Sequence, residues 1–163
     1  MSSRGGFDPY AILAALERER LAYVVVGALA RVIHGAPELT RGVDLVPSLR
    51  PENLRRLDAA LAALGVHESV SERVALEQVF AVATEYGEVK IVAEPVGTRR
   101  GYEDLRRHAT REPIGAGIRP PVASTGDLVR MLAALDRQED AGRLRVMRQV
   151  AELERGLSRS LER

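Results

Sequence analysis

The chain contains no cysteine, which removes disulfides, thiolate metal sites and a cysteine nucleophile together and fits a reducing, cytoplasmic setting. It has a single lysine, Lys90, beside 23 arginines. Tryptophan is absent and the aromatic residues are only Phe7, Tyr10, Tyr23, Phe80, Tyr86 and Tyr102. They are too few and too scattered to form a platform on which single-stranded bases stack. The formal net charge is +1, so nothing global draws the chain toward nucleic acid or an anionic membrane. No apolar run approaches the roughly 18 residues of a membrane span, and the opening MSSRGGFDPY lacks an apolar signal-peptide segment. A soluble cytoplasmic protein with no membrane partner is expected.

With 163 residues, 45% hydrophobic and 29% charged, the chain is long enough for one domain with its own core and too short for two full ones. The expected organisation is a flexible N-terminus over 1–7, one domain over 8–157 and a flexible C-terminus over 158–163. Asp8 and Pro9 open a helix, because aspartate accepts from free N–H groups and proline suits the first helical position. Ile12, Leu13, Leu16 and Leu21 supply its apolar stripe. YVVV at 23–26 is β-branched, short and continuous, the pattern of a buried strand, and ends at Gly27. A short helical pattern stops at Gly35 and Pro37, and a second strand built on Val43, Leu45 and Val46 carries Asp44.

PENLRRLDAALAALG reads as an amphipathic helix, and 77–83 with 88–93 as two strands around TEYG, a hairpin by its length and its glycine. Residues 100–109 suggest a short helix. PIGAGIRPPVAS reads as a loop with one short edge strand, since prolines cannot donate to a central ladder. Ser124 and Asp127 resemble a capping box opening the helix DLVRMLAALDR. A last helix over 139–157 places Leu144, Met147, Val150, Ala151 and Leu153 on one face. The fold class is therefore α/β (α+β): a small mixed sheet flanked by helices, with C-terminal helices.

The stretch VVVGALARVIHGAPELTRGVDLVPS resembles the nucleotidyltransferase superfamily, in particular the small bacterial branch that includes the toxin nucleotidyltransferases of abortive-infection systems. In that branch a strand ends in Gly-Gly or Gly-Ser, a helix ends in His-Gly, an Arg and a Thr follow, and the next strand bears Asp-x-Asp. The matching letters are Gly27, His34, Gly35, Thr40 and Asp44. The likeness continues in GEVKIVAEPVGTRRGYEDLRRHA and in PVASTGDLVRMLAALDRQED, and spans about 22–141. It implies a nucleotidyltransferase-like fold, with Asp44 as the catalytic carboxylate and Gly27, Ala28, Thr40 and Arg137 as nucleotide-binding residues.

The chemistry behind that pattern is specific. Glycines at a strand end let a phosphate approach backbone N–H groups closely. Two aspartates at i and i+2 on a strand face the same way, and a third from a neighbouring strand completes an oxygen cage for Mg²⁺, which orients and neutralises the triphosphate. Here the pattern is broken where it matters: Ala28 replaces the second glycine or serine, Glu38 an arginine, Gly42 the first aspartate, Lys90 the third, and Met131-Leu132 a Ser-Lys pair. A lone carboxylate is a poor Mg²⁺ site, and an ammonium in the cage repels the ion. Glu88, on the same strand face as Lys90, is the one acid placed to restore a metal site.

Three functions follow from the resemblance. The leading one is a catalytically degenerate protein with a binding, regulatory or oligomerising role that retains a nucleotide or phosphate. The others are an active enzyme using Mg²⁺ to move a nucleoside monophosphate onto RNA, protein or a small molecule, and an antitoxin-like partner-binding module. No metal ligand set and no cofactor is expected, Mg²⁺ entering only with the active enzyme. The partner is a nucleotide or a protein, with RNA left open. Beside these stand plainer readings: Asp44 as a solvent-facing strand residue, Lys90 as an exposed lysine, Thr40 as a turn hydroxyl, and His34 as a structural or capping histidine. Arg99, Arg100, Arg106, Arg107 and Arg111 form a basic segment that Glu103, Asp104 and Glu112 dilute to a solvated face.

Overall fold

The computed structural model describes residues 6–163. Of the flexible N-terminus expected over 1–7, residues 1–5 lie outside the described residues, and Phe7 packs against the core. Helix α1 (Pro9–Arg18) begins where Asp8 accepts a hydrogen bond from the Ala11 N–H, with Pro9 in the first turn. Ile12, Leu13 and Leu16 are fully buried beneath it. Then follow β1 (Tyr23–Val26), α2 (Gly27–Ile33), β2 (Gly42–Pro47), α3 (Pro51–Ala63), α4 (Val70–Val74), β3 (Val79–Thr84) and β4 (Gly87–Val92). The chain closes with α5 (Tyr102–Leu105), β5 (Thr110–Arg111), β6 (Pro121–Val122), α6 (Thr125–Leu135), a 3₁₀ turn (Gln138–Asp140) and α7 (Ala141–Leu161).

The strands form one mixed six-stranded sheet in the order β3-β4-β2-β1-β6-β5. β2 lies at its centre, antiparallel to β1 and parallel to β4. Strand alternation places Phe80, Val82, Val43, Leu45, Val89 and Ile91 on one face, all buried. The opposite face of the same strands carries Asp44, Lys90, Ala81, Glu88 and Ala83. Among the described residues no helix is long and apolar enough to cross a membrane.

Three sequence expectations need correction. The proline-bearing strand β6 is not an edge: it sits between β1 and β5, and Thr110–Arg111 is the edge. It escapes the proline rule because Pro121 is its first residue and the strand is only two residues long. The last helix runs four residues past the expected 157, to Leu161. On it Met147 and Ala151 are buried while Leu153 is 69% exposed, because the core ends before Leu153.

One buried polar group holds the centre together. Asn53, on the apolar stripe of α3, accepts from the Ala22 N–H at 2.8 Å and donates to the carbonyls of Ala22 (2.9 Å) and Ser48 (2.8 Å). It thereby joins the chain entering β1 to the chain leaving β2. Asn53→Ala strands the Ala22 N–H and the Ser48 carbonyl in a site only 3% exposed, while the Ala22 carbonyl keeps the Ser48 N–H, and each unsatisfied group costs about 1–3 kcal/mol. Urea unfolding should show a loss of about 2–4 kcal/mol at unchanged slope.

Candidate functional site

Gly27 turns the chain from β1 into α2 with φ +69, a conformation that costs other residues roughly 1–2 kcal/mol. A second constraint acts on the same atom. A Cβ built there would overlap Asp44 Oδ2 and lie 2.9 Å from its Cγ. The missing side chain is the space the Asp44 carboxylate occupies. Asp44 itself is placed by register, opposite Val26 on β1 and Lys90 on β4.

The Lys90 ammonium stands 3.8 Å from Asp44 Oδ2, within ion-pair reach. Burial raises the Asp44 carboxyl above the usual carboxylate range; the charges of Lys90 and Arg31 oppose that rise, and Glu88 adds to it. Lys90 is therefore the largest of the influences that oppose the rise.

Gly42 is closed to a side chain by packing. A Cβ on Gly42 would meet the Glu88 carbonyl oxygen at 2.7 Å and the Glu88 Cβ at 3.3 Å, so an aspartate there would push β2 away from β4. Thr40 spends its hydroxyl on the turn entering β2, donating to the Gly42 carbonyl at 3.0 Å. Ala28 lies in the first turn of α2. Gly27, Ala28, Thr40, Gly42, Asp44 and Lys90 thus gather around one end of the central strands.

Arg137 lies between α6 and the 3₁₀ turn. Its Nε donates to Asp140 Oδ2 at 2.6 Å, and it lines a shallow depression of about 290 Å³ formed by Leu132, Ala133, Asp136, Gln138, Asp140, Ala141 and Leu144. A second depression of about 460 Å³ lies between the start of α6 and the end of α7. Neither is lined by Gly27, Ala28, Thr40 or Asp44.

Glu38, which reverses the expected charge, lies at the middle of an ionic chain that sequence reading missed. Arg31 holds it in a two-pronged contact at 2.6 and 3.0 Å, and Arg143 approaches its Oε1 at 3.3 Å. Arg143 also donates to Asp140 at 2.9 Å, and Arg137 completes the series. The hydrogen bond from Arg137 draws the buried Asp140 carboxyl below the usual range. Three arginines are thus paired with two carboxylates, Arg137 and Arg143 remaining about half exposed. The spacing Arg31 to Glu38 crosses a helix end and a loop, so no periodicity announces it.

His34 takes its structural role: Nε2 lies 2.8 Å from the Ala123 carbonyl and Nδ1 3.5 Å from Glu154. Among the described residues no group of three or more His, Cys, Asp or Glu side chains is arranged to hold a metal ion. Glu88 does not complete one.

No family model matches the sequence, and no curated protein matches it. Solved structures do. A Thermotoga maritima protein classed by inference as a nucleotidyltransferase superposes with a TM-score of 0.56 at 19% identity, over 82% of this chain and 86% of that one. The antibiotic-resistance factor ANT(2'')-Ia superposes with a TM-score of 0.57 at 17% identity, over 94% of this chain and 90% of that one. The fold is nucleotidyltransferase-like. At these identities the likeness concerns the path of the chain and leaves the site to its own residues.

Three measurements probe this geometry. Gly27→Ala should lower stability by about 2–4 kcal/mol, combining the backbone conformation with the overlap on Asp44. In a double-mutant cycle with Asp44→Gly the overlap part, and only that part, should be recovered. Lys90→Met removes the nearest opposing charge, so the Asp44 pKa should rise further in a carboxyl-carbon NMR titration. The sign for stability follows. The folded state holds the Asp44 proton more tightly than the unfolded chain, so the carboxyl favours folding most when protonated. That contribution falls as pH rises from the ordinary aspartate value through the raised one. Asp44→Asn should remove this slope.

Proposed function

We propose that this protein keeps the nucleotidyltransferase scaffold without metal-dependent nucleotidyl transfer and acts by binding. The observation that carries the reading is the register Asp44 to Lys90, with the ammonium 3.8 Å from the carboxylate. Mg²⁺ does not fit the residues present. At an effective dielectric of about 20, a divalent ion and an ammonium about 5 Å apart repel by about 7 kcal/mol. One carboxylate already paired with a lysine offers little in return. The closed position at Gly42 denies the ion a second carboxylate on the same strand.

The order of Gly27, His34, Gly35, Thr40 and Asp44 supports a relation to the small bacterial branch with toxin nucleotidyltransferases. A binding role in such a system, regulatory or antitoxin-like, suits a scaffold whose charges are internally satisfied. The ligand is a nucleotide held without metal or a protein partner, in the cytoplasm.

Calorimetric titration with nucleoside triphosphates in Mg²⁺ or Mn²⁺ tests this directly. No metal-dependent heat is expected. Metal-dependent nucleotide binding that disappears in Asp44→Ala would overturn the reading. A gain-of-site variant gives the converse check. Lys90→Asp needs no room that is absent, unlike Gly42→Asp, and should create Mn²⁺ binding visible by water-proton relaxation.

A further inference from the structure

The two edges of the sheet are built differently. β5 is two residues long and ends in Arg111, the short, charged form by which sheets ordinarily protect an edge. β3 is six residues, VFAVAT, with no charge, proline or glycine, and pairs with β4 through six consecutive positions without a bulge. By the ordinary rules it is an unprotected edge.

Its free hydrogen-bonding groups can be assigned. The Ala93 N–H donates to the Gln78 carbonyl at 2.8 Å, so Gln78 and Ala93 form a hydrogen-bonded pair. Alternation along an antiparallel ladder then makes Phe80 with Ile91, Val82 with Val89, and Thr84 with Gly87 the bonded pairs. Val79, Ala81 and Ala83 therefore direct their N–H and C=O groups away from β4. Beyond them the edge is already used: the Glu77 N–H donates to Arg73 and the Glu85 N–H to Leu64. The same three residues have exposed side chains, Val79 at 51%, with Leu76 beside them at 86%. The open window is three residues long and apolar.

The geometry points to β3 as a docking edge for an extended segment of a partner protein, one with small or β-branched residues in its middle and basic residues at its ends. Only an extended chain matches a row of alternating donors and acceptors. Charge selects its ends. Glu68 and Glu77 share one arginine, Arg73, at one end of the window, and Glu85 stands exposed at the other. Charge also disfavours a second copy. Antiparallel self-pairing about Ala81 sets Val79 of each copy against Ala83 of the other. It also brings Glu77 of each copy opposite Glu85 of the other, a repulsive pairing twice over. This inference goes beyond the proposed function, because it holds whether or not the Asp44 site takes a nucleotide.

The test uses the full chain and the fluorescein-labelled heptapeptide KVTVTVK. Micromolar binding by anisotropy is expected, with amide exchange at Val79, Ala81 and Ala83 slowed by peptide while Phe80 and Val82 are slow from the start. Two analogues N-methylated at alternate residues, one in each phase, separate main-chain pairing from stickiness; one of them should lose binding at least tenfold. The acidic-ended EVTVTVE should bind at least tenfold more weakly. Ala81→Pro removes an outward N–H without touching the β4 ladder and should abolish binding. Ala83→Lys, at an exposed position, provides a second variant if the proline disturbs folding, and should weaken KVTVTVK at least fivefold. Absence of binding to the folded chain, or binding indifferent to both methylated analogues, would overturn the proposal. Self-association by sedimentation that Ala81→Pro or Ala83→Lys removes would also overturn it, assigning the edge to a second copy.

Discussion

Two missing side chains set how closely the central strands and the turn above them approach. At Gly42 the Glu88 carbonyl lies where a Cβ would be, and at Gly27 the Asp44 carboxylate does. Interiors are packed to near-crystalline density, and such contacts do not relax without moving backbone. The parallel β2–β4 pairing and the entry into α2 are therefore fixed by the same central strand. Once they are fixed, Asp44 and Lys90 must face one another, because they are register partners on one side of the sheet. The electrostatics of the site follow from a packing constraint.

The basic residues around the site show the same economy. A phosphate-binding cleft needs guanidinium groups whose donors point at empty space. Here Arg31, Arg143 and Arg137 each direct at least one donor at Glu38 or Asp140. Glu38 is 16% exposed and Asp140 2%, and each is paired with two of the three arginines, so removing one arginine breaks a pair at a largely buried carboxylate while a second partner remains. Breaking such a pair costs far more than forming it returns. The series resists being opened for a ligand and ties the loop after α2 to the start of α7.

The sequence made the central elements readable because their signals are local. YVVV has the composition of a buried strand, Asp8-Pro9 and Ser124 cap helices as written, and TEYG sits at the hairpin between β3 and β4. The resemblance to nucleotidyltransferases drew attention to Asp44 and Lys90, and the register of β2 with β4 is what sets them opposite one another. The five-residue helix α4 escaped notice since its cap, Ser69, precedes no apolar period long enough to read. The placement of β6 inside the sheet was invisible because strand order depends on contacts distant in sequence, such as Val25 with Val122. The pairing of Arg137 with Asp140, three residues on, was not read from the sequence, because it belongs to a 3₁₀ turn that has no apolar period.

Asp44 is the residue that most invites a catalytic reading, and the structure gives it work that needs no catalysis. Its carboxylate fills the space beside Gly27 that a side chain there would take. A smaller residue would leave that space empty and Lys90 without its counter-charge; a larger one would strike the Gly27 backbone. Desolvation acts against the charged form while Lys90 and Arg31 act for it, so the carboxylate is held by neighbours rather than by solvent. A single acid in a recognisable position is then weak ground for inferring the reaction of the scaffold. The deciding information lies in the groups across the strand from it, and here the group across the strand is a cation covalently part of the chain.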